Sequence, residues 1–307
     1  MKSKVKTGSS YGIAELYGES FVTVSNERRK QLLGLTEQPD CPHLKSYQEL
    51  APIRKGKPSI LCGKKGGVCS IRSFTQKMDK QSFGAITATC PIRFYQNGLV
   101  FRKIGEVLLG NENAKIAKEI PFLIRPSESN SDNELSQSED VGRIDMVLVD
   151  STDHHFNWCA VELQAVYFSG GAISKDFKNI QSHQGSDVPM PGTNRRPDFR
   201  SSGPKRLMPQ LQIKVPTLRR WGKKMAVVVD RPFFNSLGEM DHAQHVTNSD
   251  IIWFIVSFSE TDGSIYPNIV VEEVRFTTLE RAVEGLTAGI PTTLPTFEEK
   301  IREKLGR

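Results

Sequence analysis

Two carboxylates on neighbouring apolar runs are the residues of this chain best suited to chemistry. Asp145 lies in Arg143-Ile-Asp-Met-Val-Leu-Val149, and Glu162 and Gln164 lie in Trp158-Cys-Ala-Val-Glu-Leu-Gln-Ala-Val-Tyr-Phe168. Both runs are rich in β-branched and aromatic residues, and the polar stretch from Asp150 to His155 between them reads as a hairpin connection. Side chains alternate across a strand, so Glu162 and Gln164 share a face. With Asp145 facing them from the adjacent strand, two carboxylates and an amide meet at one end of a small sheet. Such a pair suits Mg²⁺ and leaves positions for waters and a substrate phosphate. The predicted chemistry is metal-dependent phosphodiester hydrolysis. Strands carrying Asp and Glu are common, so further features must narrow that reading.

The cysteines supply one. Cys41, Cys62, Cys69 and Cys90 are separated by twenty, six and twenty residues, and the outer two each precede a proline. Cys69 closes the glycine-rich Gly63-Lys-Lys-Gly-Gly-Val-Cys, which lets the backbone fold tightly. Four thiolates within fifty residues predict a structural tetrahedral site for zinc or iron, and ligand type alone does not choose between the two. The spacing lacks the paired CxxC knuckles of a zinc ribbon, so four unrelated cysteines, one or two buried as small hydrophobes, remain the alternative. Cys159, inside the Glu162 run, reads as core.

Charge is segregated along the chain. The net charge of +6 is modest. Between Ile53 and Lys103 stand eleven Lys or Arg against one acid, Asp79, and between Pro191 and Lys224 ten against Asp198 alone. The loop from Ser127 to Asp140 carries five acids and no base. Two basic blocks form an electrostatic footprint for a polyanion, against the plainer reading of two solvated faces. The composition is that of a water-soluble globular protein, with no apolar stretch of membrane-spanning length and no hydrophobic region behind the N-terminus. A cytoplasmic location is expected, which favours metal-bound or isolated thiols over disulfides.

These residues must be positioned by a mixture of strands and helices. The sequence predicts a helix over Leu99 to Leu109 and a short apolar run at Ile120 to Ile124, followed by the two carboxylate-bearing strands. After a Gly/Pro/Arg-rich stretch, a helix is expected from Lys205 to about Trp221, bent or broken at Pro209 and Pro216. Further strands are expected at Met225–Val229, Ile251–Phe258 and Ile269–Phe276, and a final helix from about Thr296. The pattern indicates an α/β or α+β fold. Tyr167, Phe168, Trp253 and Phe254 fall in apolar runs and read as core. The segment before residue 99 is poor in hydrophobic runs, and a bound metal is expected to tie its loops together.

Taken together, these features resemble the PD-(D/E)xK nuclease superfamily, and within it the type II restriction endonucleases of the NotI kind. The match is carried by Ile13-Ala-Glu-Leu-Tyr-Gly18 with the four-cysteine region, by Asp145 with Glu162-Leu-Gln164, and by the Arg-rich passage from Arg196 to Val229. The resemblance implies a restriction-endonuclease-like mixed sheet flanked by helices, with an N-terminal, DNA-contacting four-cysteine metal-binding region (1–98) and a catalytic domain (99–307). It also implies iron at the cysteines and Glu-x-Gln where most of the superfamily has Glu-x-Lys.

On that reading the protein is a site-specific endonuclease of double-stranded DNA that leaves 5′-phosphate ends. Asp145 and Glu162 would hold one or two Mg²⁺ ions. Gln164 cannot act as a base near neutral pH and would position water or phosphate. Arg195, Arg196, Arg200, Lys205 and Arg206 are the candidate DNA contacts. A symmetric homodimer is expected for a palindromic site, and a cognate methyltransferase for the host. Glu106 is a candidate further ligand, more simply read as a solvated helix residue. His154 and His155 read as turn residues, and Lys175 and Lys178 as nearby charge. The rivals are a zinc-containing DNA-binding protein without catalysis and a repair or modified-DNA nuclease of the same superfamily.

Overall fold

The computed structural model describes residues 10–54, 56–64, 66–77, 80–125, 139–152, 155–261, 264–287 and 292–306. Most of the acidic 127–140 loop and His154 lie outside these residues, as does the side chain of His155. The first sheet contains β1 (Ser10–Leu16), β2 (Glu19–Ser20), β3 (Val68–Lys77), β4 (Lys80–Phe83) and β5 (Thr87–Ala88). Its order is β2-β1-β3-β4, with β5 also on β3. The second sheet contains β6 (Lys115–Arg125), β7 (Glu139–Thr152), β8 (His155–Leu163), β9 (Met225–Asp230), β10 (Ile251–Ser259) and β11 (Asn268–Thr277), in the order β11-β10-β9-β8-β7-β6.

The second sheet is mixed. β9 pairs in parallel with both β8 and β10, and all other neighbours are antiparallel. Met-Ala-Val-Val-Val-Asp in β9 is buried throughout, as a central strand covered on both faces must be. Met225, Val227 and Val229 face one layer, packed by Leu211, Val215 and Leu218 of a helix, Met208–Arg220. Ala226 and Val228 face the other, packed by Val100, Phe101 and Ile104 of the Leu99–Leu109 helix. The fold is therefore α+β, with helices on both sides of the large sheet. No helix among the described residues is long and apolar enough to cross a membrane.

The strands expected at Met225, Ile251 and Ile269 are present, as are the Leu99–Leu109 helix and the hairpin between the carboxylate-bearing strands. The helix expected from Lys205 starts as a wide turn at Gly203–Leu207 and continues to Arg220. Pro209 falls in its first turn, where a missing N–H costs nothing, and Pro216 lies inside it. A helix at Leu279–Thr287 was not anticipated.

The N-terminal region differs from expectation more. It is built on a sheet with its own core of Ile13, Leu16, Phe21, Ile71 and Phe74, completed by Ile180 and Val188 from far along the chain. This core is hard to read along the chain because each segment contributes only a few of its residues and the segments are distant from one another.

Candidate active site

The register of the β7–β8 hairpin assembles the carboxylates. Ala160 pairs with Val147 and Val161 with Met146, so the next step places Glu162 opposite Asp145. On its other side Glu162 pairs in parallel with Val227. Residue parity puts Asp145 and Glu162 on the face of the sheet that carries Val147 and Ala160, under the Met208–Arg220 helix. Asp145 has a side chain 56% exposed, whereas Glu162 is buried. Burial pushes the Glu162 carboxyl above its ordinary value, and the Asp145 charge acts the same way, opposed by a neighbouring ammonium.

That ammonium belongs to Lys214. Its Nζ donates to Glu162 Oε2 at 2.8 Å and to Asp145 Oδ1 at 3.4 Å, and its side chain is only 3% exposed. Gln164 follows on the same face, held by its backbone N–H donating to the Val228 carbonyl. Its Nε2 donates to the Ala165 carbonyl at 2.6 Å, and among the described residues its amide oxygen has no hydrogen-bond partner.

Asp145, Glu162 and Gln164 line an open cavity of about 570 Å³ together with Lys64, Lys205 and Arg206, with Lys214 buried behind the carboxylates. Negative charge at the sheet and positive charge around it is an arrangement suited to a phosphate held against a cation. Lys64 reaches the cavity from the cysteine region, with its Nζ donating to the Thr89 carbonyl at 2.8 Å. Tyr167 lies at the cavity with half of its surface exposed, and the Arg206 guanidinium sits 3.6 Å from its ring centroid. This corrects the expectation that Tyr167 is core. The apolar run outlasts the strand, which ends at Leu163, and the chain then turns away. Trp253 and Phe254 are fully buried, and Phe168 packs against the N-terminal core.

The basic candidates divide. Arg196, Arg200, Lys205 and Arg206 are exposed. Arg195 is buried, with its guanidinium bound to Asp176 at 2.5 Å and to the Gly171 carbonyl at 3.0 Å. Glu106 pairs with Lys103 at 2.9 Å on an exposed helix face, apart from the carboxylates. Lys175 and Lys178 are exposed on the Ile173–Ser182 helix and do not line the cavity.

All four N-terminal cysteines are buried free thiols. Two short junctions hold their backbones. An isolated bridge between Asp40 and Leu61 joins the segments of Cys41 and Cys62, and Cys90 N–H donates to the Cys69 carbonyl at 3.1 Å. Burial pushes the Cys41 and Cys90 thiols up, countered by the backbone N–H groups of Leu44 and His43 at Cys41 and, with the Lys64 charge, by that of Ile92 at Cys90. Among the described residues, however, no three Cys, His, Asp or Glu side chains converge closely enough to hold an ion. The predicted four-cysteine centre is thus not formed in this arrangement. Cys159 is core, as its sequence setting indicated.

Sequence reasoning missed Lys214, Lys64 and Tyr167 as site residues. Lys214 carried a signal: it interrupts the buried stripe of Leu211, Val215 and Leu218, where a lysine needs a partner.

No curated protein matches the chain. The family model for restriction endonuclease NotI matches residues 42–266, which include Cys62, Cys69 and Cys90 but not Cys41, both carboxylates, the basic passage and the strands β6 to β10 of the large sheet. With that match covering most of its length, the chain belongs to the NotI restriction endonuclease family.

Proposed function

We propose that this protein is a type II site-specific endonuclease that hydrolyses double-stranded DNA with Mg²⁺ and leaves 5′-phosphate ends. The opposed Asp145–Glu162 pair, in a cavity ringed by Lys64, Lys205 and Arg206, is the observation that carries the reading. Two carboxylate oxygens with an open approach are the donor set of a hard divalent cation that keeps water and substrate ligands. The ammonium already resting on both carboxylates marks the pair as a cation-holding locus. When bound, Mg²⁺ would acidify a water and neutralise charge on the phosphate.

The protein's own residues do the rest. Asp145 and Glu162 would hold the ion, and the free amide oxygen of Gln164 would orient the attacking water. Lys205 and Arg206 would bind the phosphodiester backbone, and Tyr167, stacked on Arg206, fixes that guanidinium in place. Arg196 and Arg200 extend the basic surface toward further DNA contacts, while Arg195 supports it from beneath. Cleavage of both strands at a palindrome calls for two copies of the chain, and protection of host DNA for a cognate methyltransferase.

The cysteines fit a structural iron or zinc centre in part. Their burial, their paired backbones and the amides directed at Cys41 and Cys90 support it, but the side chains would have to close inward around the ion. Metal analysis of the purified protein tests this. About one iron or zinc per chain, lost when Cys69 is changed to Ser, supports the centre, and a metal-free folded protein removes it.

Incubation with unmethylated phage DNA, with Mg²⁺ and with EDTA, tests the activity beside Asp145→Ala and Glu162→Ala. Discrete Mg²⁺-dependent fragments, absent with both variants, are expected. Retained binding without cleavage of unmodified or modified DNA would instead indicate a non-catalytic DNA-binding protein. Cleavage confined to modified DNA would indicate a different duty for the same chemistry.

A further inference from the structure

Position 164 carries an amide where a positive charge would help a phosphoryl transition state, and the large sheet contributes no other cation beside the carboxylates among the described residues. The helix above it does. Lys214 has its ammonium 2.8 Å from Glu162 Oε2 and 3.4 Å from Asp145 Oδ1, inside a stripe formed by Leu211, Val215 and Leu218. Among the described residues those two carboxylates are its only hydrogen-bond partners, so one of its three donors has none. Pro209 and Gln210, one turn earlier on the same helix, line the active-site cavity. Packing does not account for a lysine here. Apolar residues of similar volume generally stabilise such a position as well or better, because the ammonium must first lose its water.

We propose that Lys214 is the positioning cation of this active site, delivering from a helix the charge that the Glu-x-Gln strand lacks. Before metal binds, it holds the two carboxylates together against their mutual repulsion. Once metal is bound, it yields the carboxylate oxygens and stands beside the scissile phosphate, where its charge opposes the negative charge that develops there. Lys214 and the metal therefore compete for the free carboxylates and cooperate in the reaction.

This inference rests on the nuclease reading, and the experiment separates the two. Wild type, Lys214→Met, Lys214→Arg and the swap Gln164→Lys/Lys214→Met are compared with Asp145→Ala in three measurements. These are thermal melting, Mg²⁺ binding to the DNA-free protein by calorimetry, and single-turnover cleavage of unmethylated phage DNA. In Lys214→Met, Mg²⁺ binding should tighten by about tenfold as the competing charge goes, while cleavage slows by about 10²- to 10³-fold. The swap should recover at least about tenfold of that rate, since it returns an ammonium to the same carboxylates from the strand.

A lysine that only fills space would not move metal affinity and rate in opposite directions, nor be rescued from another element. Full activity in Lys214→Met, with Asp145→Ala inactive, overturns this inference and leaves the nuclease reading standing. Full activity in Asp145→Ala overturns the nuclease reading itself, and the inference with it. If Lys214→Met fails to fold, Lys214→Arg decides: a folded but inactive protein overturns the proposal, and a rate within about tenfold of wild type supports it.

Discussion

Two buried carboxylate–cation groups in this molecule look alike in sequence and differ in what surrounds them. Glu15 and Arg93 are both fully buried, and every charged atom is matched. Arg93 Nε donates to both Glu15 oxygens at 2.8 and 2.9 Å, while its other nitrogens donate to Gln96 and to the Pro267 carbonyl. Ser70 donates to Glu15, and the guanidinium lies over the Phe258 ring. Asp145, Glu162 and Lys214 form the contrasting group. One ammonium serves two carboxylates, one of them largely exposed, and an open cavity takes the place of further partners. A saturated ion pair ties the N-terminal sheet to the far edge of the large sheet. An unsaturated one is left with capacity for a ligand.

Breaking the open group should cost activity and spare the fold. Asp145→Ala is expected to lower single-turnover cleavage by about 10³-fold or more, with melting within a few degrees of wild type, because Asp145 is half in solvent. Breaking the closed group should do the reverse. Glu15→Ala leaves the Arg93 guanidinium buried without its carboxylate and should cost about 3–5 kcal/mol in chemical denaturation. Any activity lost should follow the folded fraction.

The basic passage sharpens the same contrast. Arg195→Ala strands the Asp176 carboxylate and is expected to lower stability by about 3 kcal/mol. Arg206→Ala should leave stability alone, weaken DNA binding on all sequences, and reduce the salt slope of binding by about 1. Equal loss of DNA affinity and unchanged melting in both variants would erase the distinction.

Asp230 moves the contrast from mutation to pH. It is buried at the end of β9 and accepts N–H groups from Ala88 and Phe233, and burial pushes its carboxyl up to about 7 from an ordinary 3.8. The folded state therefore binds the Asp230 proton more tightly than the unfolded state does. This contribution to stability is present in full below about pH 4 and is lost as pH rises toward 7. Asp230→Asn should flatten the stability profile in that window, and an unchanged profile would show that another group titrates there.

How much of this was legible beforehand follows from the range of each interaction. The carboxylate pair could be read because strand alternation is local and the hairpin between Asp145 and Glu162 is short. Lys214 could not be assigned, since its partners lie 52 and 69 residues away and depend on how one helix crosses a sheet. Arg195 and Arg206 looked equivalent because charge along a sequence does not reveal Asp176 waiting beneath one of them. The N-terminal region reads as loops along the sequence because its core borrows Ile180 and Val188 from beyond the carboxylate-bearing strands.

If the charge of Glu162 serves the reaction and not the fold, Glu162→Gln separates the two. The substitution keeps the shape and removes the charge. Melting temperature and Mg²⁺-dependent cleavage of unmethylated phage DNA are measured on the same preparation. The expected result is a folded protein, melting within a few degrees of wild type, that yields no fragments. Discrete fragments at the wild-type rate would move the active site elsewhere in the molecule.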